Sequence, residues 1–347
     1  MSINNFMKRT VAQAFKVIDN QCLIIDGHGY FLGKSHDRII IKHKNSIVSQ
    51  IPFEDITCII LSSKSTTLST SFINDASRHG ICISMWCGGS PNILVASSRL
   101  ASFVEAKRAQ FDAYNNTRGL ELIKKVIASK IENQNALLRY YSKNLKAAKL
   151  DSTSESLRVN AQKVRDIVGE NISAVRTSVL SFEALSSKTY WKRFAELLHL
   201  DYGFSSRDPS SNDTINSALN YGYAILYSIT WMGILNSGLE PFAGFLHTDR
   251  PGKPSLVFDL SEPFKQRIVD RSIMAIVNNK QHLKSDNGML DTQSKKLVSS
   301  KVLGEMYKKE NYCGRNLTLM SIMQANIYSV VSELKGTGKY NEYKFKW

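Results

Sequence analysis

Short runs of β-branched and aromatic residues, separated by turn formers, fill the first third of the chain. QCLIIDG, YFLGKS, RIIIKHK, SIVSQIPF and TCIILSS are interrupted at Gly27, Gly29, Gly33, Asn45 and Pro52, a pattern that predicts short strands. TLSTSFINDASRHG predicts one short helix stopped at Gly80, ICISMWC a buried strand, and GGSPN a turn into the strand ILVASS. Strands spaced this closely over 21–96 predict a small β-sandwich or barrel that carries one helix.

From about Ser98 the period changes to that of helices. SFVEAKRAQFDAYNNTRGLELIKKVIASKIENQNALLRYYSKN places Leu120, Ile123, Ile127, Ile131, Leu137, Leu138 and Tyr141 at helical spacing. Further helices are predicted at about 156–185, 189–199, 214–236, 262–279, 292–309 and 316–334; the last puts Leu319, Met323, Ile327, Val330, Val331 and Leu334 on one face. The polar stretch SSRDPSSNDT (205–214) predicts a loop that opens a helix. The expected fold class is α+β: a small N-terminal β-sandwich-like domain over 1–97, then a larger, mostly helical domain over 98–347.

Composition narrows the class of function. A length of 347 residues fits about two domains. No apolar run reaches the roughly 18 residues of a transmembrane helix, and the polar start MSINNFMKRTVAQAF lacks the apolar core of a secretory signal. Five cysteines form no CxxC pair, and Cys82 and Cys87 lie in an apolar strand. A reduced, cytoplasmic protein without a structural zinc site is expected. The net charge of +15 implies an acidic partner, most often nucleic acid. Basic residues are spread along the chain, from Lys124, Lys125, Lys130, Lys143, Lys146 and Lys149 to Arg250, Lys253, Lys265, Arg267 and Arg271, and are expected on the faces of folded elements.

Chemistry is densest in GLEPFAGFLHTDRPGKPSLVFDLSEPFKQRIVDRS, residues 238–272. There His247 follows a Gly-containing apolar run, and a Pro/Gly loop leads to a strand-like SLVFD and a helix start at DLSEPF. Asp259, or Ser261, is expected to cap that helix, with Pro263 in its first turn. Asp259 and Glu262, three residues apart, share one side of the turn. Each acid has an ordinary reading as complement to the helix dipole, and His247 as an interior histidine. Together with Arg250, Lys253, Lys265 and Arg267 they make the set that phosphodiester chemistry needs: carboxylates and an imidazole for Mg²⁺ or Mn²⁺, and bases for the backbone. A further ligand is expected from the helical part. The candidate is Glu183, at the edge of the stripe Val175, Val179, Phe182, where spacing alone also fits a surface glutamate. GHG at 27–29 is followed by no GK[ST], and neither GxSxG nor HExxH occurs.

In these residues the chain resembles the CRISPR-associated integrase family, the first of the two universal spacer-acquisition proteins. The resemblance runs in order through RAQFDAYNN, KIENQNALLRYY, SFEALSSKTYW, INSALNYGYAILY and GLEPFAGFLHTDRPGKPSLVFDLSEPFKQRIVDR. It implies a metal-dependent DNA integrase and endonuclease of CRISPR adaptation, in which a 3′-hydroxyl of a short fragment attacks a phosphodiester at the edge of a repeat. It implies Glu183, His247 and Glu262 as ligands of Mg²⁺ or Mn²⁺, with Asp259 assisting, and Arg250, Lys253, Lys265 and Arg267 as backbone contacts. The implied partners are double-stranded DNA with 3′ ends, CRISPR repeat DNA, a second copy of the chain joined through the N-terminal domains, and the second, small CRISPR-associated adaptation protein. The alternatives are a structure-selective DNA nuclease of repair and a non-catalytic DNA-binding scaffold.

Overall fold

A computed structural model describes residues 15–18, 22–25, 27–56, 58–61, 63–86, 91–95, 104–144 and 150–345. The chain divides into two compact units, Met1–Ser102 and Phe103–Trp347. The expected domain boundary at 97/98 and Cys87 lie outside the described residues.

The first unit is built on two sheets. One runs in the order β1 (Phe15–Ile18), β2 (Cys22–Ile25), β6 (Cys58–Leu61), β8 (Cys82–Trp86), β9 (Pro91–Val95); its three central strands are parallel and its two edges antiparallel. The other runs β5 (Ser46–Pro52), β4 (Arg38–His43), β3 (Tyr30–Ser35), β7 (Thr67–Leu68). Leu23, Ile25, Ile59 and Ile83 from the first sheet and Leu32, Ile39 and Ile41 from the second share one core with Phe53 and Phe72, which is the sandwich that the closely spaced strand runs predict. Helix α1 (Thr70–Arg78) is capped by the Ser69 hydroxyl on the Phe72 N–H, and the chain leaves it through Gly80 at φ 72°. Lys44 and Asn45, both at positive φ, make the two-residue turn between β4 and β5.

In the second unit α2 (Val104–Tyr114) leads to the long α3 (Thr117–Asn144), which packs on α4 (Leu150–Arg165) and α5 (Ile172–Glu196). The predicted helix 156–185 is thus two helices. The Asn171 side chain accepts the Ala174 N–H and starts α5 anew. That helix then runs through the gap expected at 186–188, because nothing between Ala184 and Tyr190 breaks it. After the loop that ends at Asp213, which caps on the Asn216 N–H, α6 (Thr214–Asn236) is buried on nearly every side. SLVFD is helical rather than strand-like: α7 (Ser255–Ser261) buries Leu256, Val257, Asp259 and Leu260. The chain continues as a 3₁₀ turn (Glu262–Phe264), a π turn (Gln266–Asp270) and α8 (Arg271–Asn278). Pro263 has no N–H to donate, which accounts for the change of winding at this point.

Two small hairpins interrupt the helices: β10 (Ser285–Asp286) with β11 (Met289–Leu290), and β12 (Lys309–Tyr312) with β13 (Arg315–Thr318). Their turns, Asn287-Gly288 and Cys313-Gly314, have positive φ at both residues. The second replaces the expected continuation between helices by a hairpin linking α9 (Thr292–Met306) to α10 (Leu319–Lys335). No helix among the described residues is long and apolar enough to cross a membrane.

Candidate active site

Asp259 is fully buried on α7, and its carboxylate is used up by the strandless segment before it. Oδ2 accepts the N–H groups of Phe245 (2.7 Å) and Leu246 (3.0 Å), while Oδ1 accepts that of His247 (3.2 Å) and lies 2.6 Å from His247 Nδ1. It therefore does not cap a helix start, as the sequence suggested; α7 begins four residues earlier, and the carboxylate turns inward to satisfy three backbone donors. Gly244 makes this possible. A Cβ there would stand 2.5 Å from Ser255 Cβ and 3.1 Å from Asp259 Oδ2. With Nδ1 engaged, the other nitrogen of His247, Nε2, faces away from Asp259. Burial opposes the imidazolium, but the hydrogen bond and charge of Asp259, followed by the charge of Glu262, leave the His247 pKa raised.

Glu262 lies three residues on, in the 3₁₀ turn, and is buried. Its Oε1 accepts from Lys265 Nζ at 2.8 Å, and its Oε2 lies 2.8 Å from Lys130 Nζ on α3. Lys130 thus pairs with Oε2 while Lys265 pairs with Oε1, so each oxygen of Glu262 faces its own ammonium. The same Lys130 ammonium pairs with Glu183 on α5, whose Oε1 also accepts from Ser187 Oγ at 3.0 Å. Burial would push the Glu262 carboxyl up, yet Lys130, Lys265 and His247 hold it well below the usual carboxylate range. Glu183 is likewise lowered, with Lys130 outweighing burial and the Glu262 charge, and Lys130 is kept raised against its own burial by the two glutamates.

These groups line a cavity of about 740 Å³. Lys130, Lys188, Lys192, Arg207 and Lys265 set five positive charges against Glu183 and Glu262, with Trp191, Tyr223 and Tyr227 among the walls. Lys265 Nζ stands over the rings of Tyr223 (5.1 Å) and Tyr227 (5.4 Å), and the Arg207 guanidinium over Tyr223 (5.4 Å). Behind that wall Asp270 accepts the hydroxyls of Tyr190 (2.7 Å) and Tyr223 (2.5 Å), and burial raises its pKa.

Glu183 and Glu262 therefore meet at one cation, and His247 meets Asp259. Among the described residues no three His, Cys, Asp or Glu side chains are grouped closely enough to hold a metal ion. Of the predicted backbone contacts, Arg250 and Lys253 lie exposed on a turn closed by a bridge between them. Lys265 lines the cavity but is already paired with Glu262. Arg267 is a correction. It is buried and paired with Glu305 and Glu310 (2.6 Å), because the π turn directs it into the interior, so it offers nothing to a surface ligand. Lys130 is the functional residue the sequence reading missed, placing it on a solvated basic face. The signal was present: Ile123, Ile127, Lys130, Gln134, Leu137 and Tyr141 follow one stripe at steps of three and four, and a lysine in an apolar stripe calls for a buried anion.

The set can do two things chemically. Two carboxylates held ionised, with the His247 Nε2 nearby in the chain, offer ligand types that suit a hard divalent cation. The basic and aromatic walls suit a phosphodiester strand.

Residues 23–302 match the family model described as CRISPR associated protein Cas1. A "CRISPR-associated endonuclease Cas1 1" of Francisella tularensis subsp. novicida (strain U112) is 33% identical over 331 residues, covering 94% of this chain and 99% of that one. Among solved structures, a "Casposase bound to integration product" has a TM-score of 0.76 at 23% identity, covering 94% of each chain. A "Cas6-RT-Cas1--Cas2 complex" has a TM-score of 0.74 at 16% identity, covering 96% of this chain and 37% of that one. The last two likenesses concern the fold.

Proposed function

Because the chain belongs to the CRISPR-associated protein Cas1 family, we propose that it is a DNA integrase of CRISPR adaptation that depends on Mg²⁺ or Mn²⁺. It joins the 3′-hydroxyl of a short DNA fragment to a phosphodiester at the edge of a repeat. The observation that carries this reading is the convergence of Glu183 and Glu262 on a single ammonium ion beside a basic cavity. Lys130 Nζ is a stand-in cation there, bridging the two carboxylates that would take a harder one.

Glu183, Glu262 and His247 through Nε2 would hold the metal, which when bound activates the attacking hydroxyl and stabilises charge developing on the phosphate. Asp259 fixes His247 by engaging Nδ1 and its backbone N–H. Lys188, Lys192 and Arg207 bind backbone phosphates along the cavity, and Trp191 and Tyr227 offer faces to splayed bases. Lys265 balances Glu262 from the far side and keeps it ionised. The endonuclease name of the Francisella relative and the integration product of the casposase fit the same chemistry. The Cas2-containing complex supports a second, small adaptation protein as partner, and a second copy of the chain is expected to join through the N-terminal unit.

Labelled fragments and a repeat-bearing plasmid test this. Glu183→Ala, His247→Ala and Glu262→Ala should each lose strand transfer while DNA binding persists. Full transfer by either glutamate variant contradicts the reading. Branched DNA cut with no joined product points instead to a repair nuclease, and transfer that survives chelator removes the metal from the account.

A further inference from the structure

We propose that Lys130 is a built-in place-holder for the divalent cation, so that metal loading is an exchange of one cation for another rather than the filling of a vacant site. This rests on the reading of Glu183 and Glu262 as metal ligands and says how that pair is kept ready.

Three observations carry it. Lys130 is only 7% exposed, on the apolar stripe of α3, so its ammonium has given up its water and depends on protein oxygens. Among the described residues it is the one basic side chain paired with both glutamates; Lys265 pairs with Glu262 alone. Lys130 Nζ stands 2.8 Å from Glu262 Oε2 while also pairing with Glu183, so one ammonium is shared between two anions, the position a bridging cation would take. A buried carboxylate and a half-buried one beside the same ammonium would repel and separate without a cation. Lys130 offsets that repulsion and keeps both carboxylates around one positive charge. The same closeness means that a dication binding both must push the ammonium out, and the open cavity beside it gives the flexible four-carbon stem somewhere to go.

A purely structural lysine predicts that its loss loosens the ligands and weakens metal binding. A place-holder predicts the opposite sign. The test is calorimetric titration of the full chain with Mn²⁺ alone, together with melting curves in chelator and in Mn²⁺. Lys130→Gln should bind Mn²⁺ about tenfold tighter or more, since no ammonium competes. It should melt below the wild type in chelator and gain more from Mn²⁺ than the wild type does. Equal or weaker Mn²⁺ binding by a folded Lys130→Gln overturns the proposal. If that variant is too unstable to titrate, Lys130→Arg decides. A planar fork grips two carboxylates more firmly than an ammonium, so its Mn²⁺ affinity should fall several-fold below the wild type; unchanged or higher affinity overturns the proposal. The metal reading fails separately, and this inference with it, if neither the wild type nor Lys130→Gln takes up Mn²⁺ saturably.

Discussion

Asp259 and Glu262 are three residues apart and both nearly sealed from solvent, at 0% and 3% exposure, but opposite kinds of partner satisfy them. Asp259 is held by backbone dipoles: three N–H groups of 245–247 and the His247 ring converge on it. Glu262 is held by mobile charges, the ammonium groups of Lys130 and Lys265 at 2.8 Å. Backbone donors cannot leave without unfolding the segment, whereas an ammonium on a flexible stem can be exchanged. One carboxylate is therefore built to fix a loop, and the other to change partners.

That contrast breaks first, and most, in activity. Glu262→Ala should cut strand transfer by roughly 10³-fold in a single-turnover assay, more than its loss of stability from leaving Lys265 without a carboxylate accounts for. Asp259→Ala should show the reverse weighting. Stranding three buried N–H groups costs about 3 kcal/mol of stability in urea unfolding, and activity follows only because His247 loses its anchor. Gly244→Ala sharpens the same half of the comparison. Its Cβ would press on Ser255 and Asp259, so unfolding should show a loss of about 2 kcal/mol.

The smallest effects are in pH dependence. The folded His247 pKa lies above its ordinary 6.5, with burial opposed and outweighed by Asp259. Its contribution to stability is complete below pH 6.5 and fades as pH rises through the folded value. The stability gap between wild type and His247→Gln should therefore narrow on going from pH 6 to alkaline pH. Glu262 has the opposite sign. Its folded pKa is depressed below 4.5 by Lys130 and Lys265 against burial, so the gap to Glu262→Gln should be full at neutral pH and close only as pH falls below 4.5. Urea midpoints across pH read both.

Much of this was legible in the residues themselves. β-Branched and aromatic runs between turn formers over 21–96 specified the strands, and apolar steps of three and four specified the helices. The pairing of His247 with Asp259 came from their closeness in the chain. What was not legible depends on tertiary competition. SLVFD has strand-like side chains, but Asp259 is needed beneath the 245–247 N–H groups, and a helix delivers it. Arg267 is four residues past a proline whose missing N–H changes the winding, so the helical wheel aims it wrongly. The Asn287-Gly288 hairpin had its turn signal in plain view, but its strands of two residues are too short to show a period.

The central claim is that Glu183 and Glu262 share a divalent cation. Anomalous scattering at the manganese edge, from crystals soaked in Mn²⁺, tests it most directly. The account predicts a single strong peak in contact with both carboxylates and His247 Nε2, with Lys130 withdrawn. Manganese bound elsewhere, with Lys130 still bridging the two glutamates at saturating metal, would contradict it.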